Sequence, residues 1–126
     1  MRMFKAVLVA TLLVTTGGSA SPAAQPAQPP QRETHVVVIR AERFSFTPSQ
    51  IRTKVGTRLE FRLSSDDTVH GFRILDTDVN VEIPKRGKDA VVAVFTPVKA
   101  GRYTFECSHT CGAGHAFMRG VIIVAE

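Results

Sequence analysis

Within the twelve residues Cys107-Ser108-His109-Thr110-Cys111-Gly112-Ala113-Gly114-His115-Ala116-Phe117-Met118 the chain offers two thiols, two imidazoles and a thioether. Thiolates and thioethers are soft donors that favour copper, above all in its reduced state, and imidazole suits both copper oxidation states. Such a mixed set suits a metal that cycles between the two. Gly112 and Gly114 carry no side chain, so the loop can fold back and aim several donors at one point. Two cysteines separated by three residues can each bridge two metal ions once both are deprotonated. Taken alone, the same residues leave other chemistries open. Two cysteines in an exported chain ordinarily form a disulfide. A Cys2His2 zinc site would use the thiolates and imidazoles in tetrahedral geometry but leave Met118 without a role. A mononuclear blue copper site, with two histidines, one cysteine and a weak methionine, would leave Cys111 without one.

The elements that position this loop are short. His35 to Arg40 is a largely β-branched run, and after Gly56 the residues Leu59, Phe61 and Leu63 alternate with Arg58, Glu60 and Arg62. Period-2 alternation of this kind marks a strand with one buried face. Residues 69–74, 79–83, 90–95, 102–107 and 120–124 complete the candidate strands. Thr47-Pro48-Ser49, Pro84 to Gly87 and Pro97 to Gly101 supply turn chemistry between them. The chain therefore reads as an all-β, Greek-key β-sandwich of about seven to eight strands, with no amphipathic helical stretch and no internal repeat. Strand phase also selects the inward side chains. Tyr103, Phe105 and Cys107 share one face, and His70 shares one with Phe72 and Ile74 while Arg73 points away. Both Cys107 and the distant His70 are thereby directed inward. His35, far from the loop, reads as exposed.

The pattern C-x3-C-x3-H-x2-M with an upstream histidine resembles the CuA domain of subunit II of haem-copper oxidases, found also in nitrous oxide reductase. Asp66-Asp67-Thr68-Val69-His70-Gly71-Phe72, followed by Asp78 to Glu82, is similar to the segment that supplies that family's first histidine. The likeness spans roughly residues 42 to 125. It implies a cupredoxin-like fold and a dinuclear, one-electron copper centre. Cys107 and Cys111 would bridge two copper ions, His70 and His115 would each bind one, Met118 would be a weak ligand, and the backbone carbonyl of His109 would complete the set. Two departures stand out. Oxidase subunits commonly carry an acid where this chain has His109, and the tryptophan-bearing tract through which they receive electrons has no counterpart in a chain with no Trp.

Compartment and partners follow from the rest of the chain. Arg2 and Lys5, the uncharged run Ala6 to Thr15 and the small residues Gly17 to Ala20 have the order of a secretory signal, with an apolar run too short to span a bilayer. The expected organisation is a signal peptide over 1–20, a Pro/Ala/Gln linker over 21–33 with nothing to bury, and a copper-binding domain over 34–126. The protein is thus expected in the periplasm or on the outer face of the cytoplasmic membrane, with no stable membrane span. The net charge is +5, and residues 1–20 hold two of the cations and no acid. A mildly basic surface can steer an acidic partner, but no nucleic-acid motif appears. The expected function is one-electron transfer, as a relay to or within a haem-copper oxidase, with a cytochrome c-like donor or the oxidase as partner. Substrate chemistry is not expected of the chain itself. The alternatives are an extracytoplasmic copper carrier or sensor, a mononuclear copper protein, or a disulfide-bonded structural sandwich.

Overall fold

The alternation around Phe61 produces a strand buried on one face only. The computed structural model describes residues 31–126 together with Gly18 and Pro26. In it β4 (Arg58–Ser65) buries Leu59, Phe61 and Leu63 completely. Its outward residues form a ladder in which Glu60 accepts from both Arg58 and Arg62. Thr34–Glu42 forms β1, parallel to β4, so that Val37, Ile39 and Ala41 join the same core face. Val91–Phe95 (β7) pairs antiparallel on the other side of β4. Ser45–Thr47 (β2) folds back on the end of β1 and completes a four-stranded sheet in the order β2-β1-β4-β7.

The second sheet has five strands in the order β3-β9-β8-β5-β6. These are β3 (Gln50–Lys54), β5 (His70–Ile74), β6 (Asn80–Ile83), β8 (Gly101–Glu106) and β9 (Arg119–Ala125). Its inward residues Ile51, Phe72, Ile74, Ile83, Phe105, Ile122 and Val124 close the core against the first sheet. Phe72 lies at the centre of that core, with its ring centroid 5.1 Å from those of Phe61 and Phe105 and 6.0 Å from that of Phe46. Tilted and edge-to-face pairs at such separations suit the aromatic quadrupole.

The expected sandwich is present, with nine strands rather than seven or eight among the described residues. The two additional strands, β2 and β3, flank Thr47-Pro48-Ser49. Each buries a single apolar side chain, Phe46 and Ile51 respectively, too weak a periodicity to stand out from a turn-rich stretch. One turn of 3-10 helix, His115–Phe117, is the sole helical element among the described residues. The export segment expected over 1–20 and most of the linker expected over 21–33 lie outside those residues; Gln31 to Glu33 form no strand, and β1 begins at Thr34.

Parallel pairing of β1 with β4 and of β3 with β9 fixes the two ends of the sandwich. Loops 43–44, 66–69, 84–90 and 107–118 gather at one end. Turns 55–57 and 96–100 and the entry to β1 gather at the other.

Candidate metal centre

Burial carries the donors inward as strand phase requires. His70 opens β5 with no exposed surface, and Cys107 follows β8 at 3% exposure. Cys111 and Met118 are also buried, while His115 is half-buried on the 3-10 turn. One ligand atom from each of His70, Cys107 and Cys111 lies within 4.8 Å of the others.

Two lobes are joined through the sulfurs, which lie 3.8 Å apart as free thiols. Around Cys107 Sγ stand His70 Nδ1 at 3.9 Å and the His109 carbonyl oxygen at 3.0 Å. Around Cys111 Sγ stand His115 Nδ1 at 3.7 Å and Met118 Sδ at 3.9 Å. Each sulfur thus has one imidazole and one weaker donor. The His109 side chain turns outward instead, with its Nδ1 3.6 Å from Glu82 Oε2.

The loop is held from several sides. Cys107 N–H donates to Met118 O at 3.0 Å, His115 N–H to Gly112 O at 3.1 Å and Met118 N–H to His115 O at 3.2 Å. Gly112 has φ 140°, in the region that favours glycine. Gly71 is required for a different reason: a Cβ there would lie 2.7 Å from His109 N and 2.9 Å from Ser108 N. Only a bare backbone lets β5 approach the loop closely enough for Gly71 N–H to donate to Cys107 Sγ, at 3.4 Å.

Three supporting residues were not singled out from the sequence. Asp67 Oδ1 accepts from His70 Nε2 at 2.6 Å, which leaves the Nδ1 lone pair facing the sulfurs. A carboxylate behind a histidine ligand fixes its tautomer and ring orientation in the same way at metal sites. Partial burial opposes ionisation of Asp67. The His70 ring and the N–H groups of Arg43 and Thr68 outweigh it and hold the carboxyl down at about 2. Arg43 ties the two lobes together, since its N–H donates to Asp67 Oδ2 at 2.9 Å and its Nε donates to the Cys111 carbonyl at 2.8 Å. Phe44 covers Gly114, where a Cβ would lie 2.3 Å from its ring. Asp67 stood three residues before His70 as a visible clue. Arg43 meets Cys111 across 68 residues of chain, which no local pattern shows.

Without a compensating cation Cys111 stays a thiol. Burial, and then the neighbouring Cys107 sulfur, push the Cys111 thiol up to about 11. Two adjacent buried thiolates repel each other unless a positive charge compensates them. The soft thiolates and thioether with imidazole fit copper. Replacing Asp67 with alanine is expected to weaken metal affinity about 10- to 100-fold, the usual cost of losing the group behind a histidine ligand. Competition against a chelator of known affinity measures it, and an unchanged affinity would show that packing alone orients His70.

Comparison with known proteins places these features in a lineage. The cupredoxin-like domain family matches residues 6–124. Cytochrome c oxidase subunit 2 of Thermus thermophilus is 33% identical over 115 residues, covering 89% of this chain and 84% of that protein. Among solved structures, a haem-copper terminal oxidase dimer contains a chain with TM-score 0.64 and 27% identity, covering 75% of this chain and 66% of that one. The periplasmic domain of oxidase subunit II (CoxB) from Bradyrhizobium japonicum has TM-score 0.65 at 18% identity, covering 72% of this chain and 83% of its own, and supports the fold alone. The chain belongs to the cupredoxin-like family, in the branch that includes cytochrome c oxidase subunit 2.

Proposed function

We propose that this protein is an exported one-electron carrier with a dinuclear copper centre, in which Cys107 and Cys111 bridge, His70 and His115 each bind one ion, and Met118 and the His109 carbonyl are weak ligands. The observation that carries the reading is the two-lobed arrangement: each of two adjacent sulfurs has its own imidazole and its own weaker donor. A tetrahedral zinc site would leave Met118 and the carbonyl idle, and a mononuclear copper site would leave one lobe idle. A bound copper pair would supply a reversible one-electron couple.

The residues themselves limit reorganisation. Both sulfurs are buried, the loop is pinned by its own hydrogen bonds, and Arg43 and Asp67 hold opposite sides of it. Donors fixed in this way move little when charge changes, which favours electron transfer over metal hand-off. His115 is the more accessible imidazole, beside the 83%-exposed Phe117, whereas His70 is sealed within the sandwich. Electrons are expected to pass between a redox protein at the loop end and a second acceptor, a haem-copper oxidase or its equivalent.

Voltammetry of the copper-loaded protein tests the role. A reversible one-electron wave with no loss of metal is expected. Transfer of Cu(I) to an apo acceptor without a reversible couple would assign the protein to copper carriage instead.

A further inference from the structure

Arg43 follows β1 and meets the metal loop from outside. Its Nε donates to the Cys111 carbonyl oxygen at 2.8 Å and lies close to Gly112, where a Cβ would be 3.7 Å from it. Among the described Arg and Lys side chains, it alone is hydrogen-bonded to residues 107–118. The charge it brings there is uncompensated. Arg40, Arg58, Arg62, Arg73 and Arg119 each meet a carboxylate, whereas no described acid pairs with the Arg43 guanidinium. Asp67 accepts from the backbone N–H of Arg43 instead.

The field of this cation reaches a sulfur of the site. Burial and the Cys107 sulfur raise the Cys111 thiol, and Arg43 acts against them by favouring the thiolate. A fixed positive charge that favours added negative charge on the sulfur also favours an electron added to a metal held there, because both effects are Coulombic. The Asp67 carboxylate acts with the opposite sign, but on the other lobe and from behind the His70 ring. Lys85, Arg86 and Lys88 share this end of the sandwich, in an exposed loop that bonds to the Asp67 carbonyl rather than to the metal loop.

We propose that Arg43 sets the reduction potential of the centre. Its charge favours the reduced state, so the protein takes an electron from weaker donors than the same ligands would accept without it. One electron passes from donor to centre, and the donor is oxidised by one. The inference rests on the one-electron copper centre proposed above.

Voltammetry of the full-length, copper-loaded protein tests it, with Arg43→Gln, Arg43→Lys and, as a control, Arg52→Gln, an exposed cation of β3 paired opposite Ile123. Glutamine keeps a hydrogen-bond donor and loses the charge, whereas lysine keeps the charge and loses the planar fork. Solvent screens a charge at this exposed position. Arg43→Gln is therefore expected to raise the oxidised-to-reduced ratio at a fixed electrode potential about tenfold, a fall of about 59 mV. Arg43→Lys should stay close to the unsubstituted protein, and Arg52→Gln should match it. Added salt should narrow the gap between Arg43→Gln and the unsubstituted protein as the Debye length shortens. An unchanged copper spectrum shows that the ligand set is intact. A spectrum altered in both Arg43 variants would assign the residue to holding the loop and overturn the inference. Equal potentials for Arg43→Gln and the unsubstituted protein, equal falls for the Gln and Lys variants, or the same fall in Arg52→Gln would also overturn it, while leaving the electron-carrier reading in place. Absence of any reversible couple in the unsubstituted protein would overturn that reading, and this inference with it.

Discussion

Gly71→Ala is expected to disable the metal centre while leaving the sandwich folded. The added methyl would collide with backbone atoms of Ser108 and His109 as well as the Ser108 hydroxyl, and backbone cannot rotate away as a side chain can. The loop must then retreat from β5, which lengthens the Gly71 N–H to Cys107 Sγ contact and moves the His109 carbonyl. Misplacing a first ligand and a weak one together should exceed the roughly 100-fold upper cost of an outer-shell change. Gly114→Ala offers the contrast. The atoms nearest its methyl would all belong to the ring of Phe44, a residue 36% exposed and able to swing its side chain aside, so a smaller loss is expected. Copper titration of the two variants, with circular dichroism to check the fold, distinguishes them. Equal losses would mean that β5 and the loop do not need this approach.

Cys111→Ser is expected to convert the site from two coppers to one. The serine hydroxyl cannot replace a bridging thiolate as a soft donor, so the lobe containing His115 and Met118 loses its anchor. Cys107, His70 and the His109 carbonyl remain together, so a single ion can still bind. The expected spectrum changes from that of a delocalised pair to that of one thiolate-bound copper. Retention of two coppers with an unchanged spectrum would remove Cys111 from the bridge.

Much of the site was legible because alternation in a strand is a strong constraint. The placement of Phe72 and Ile74 in the core decides where His70 points, and Phe105 does the same for Cys107. The compact spacing from Cys107 to Met118 supplied the other donors. Beyond local periodicity the sequence was less informative. Strands β2 and β3 each offer one buried apolar residue, and β3 lies at a sheet edge where Arg52 and Lys54 face solvent. The parallel pairings of β1 with β4 and β3 with β9 are non-local. Arg43 and Phe44 look like ordinary residues of a turn until the fold brings them against a loop that lies far ahead in the chain. Donors, in short stretches, carry their own chemical signature; the groups that orient them are common residues whose role depends on tertiary proximity.

The two-lobed geometry makes copper stoichiometry with electron spin resonance on the reconstituted protein the most direct test. A dinuclear centre gives two coppers per chain and, in the partly oxidised state, a hyperfine pattern from one unpaired electron shared over two nuclei. One copper per chain with a pattern from a single nucleus would contradict it.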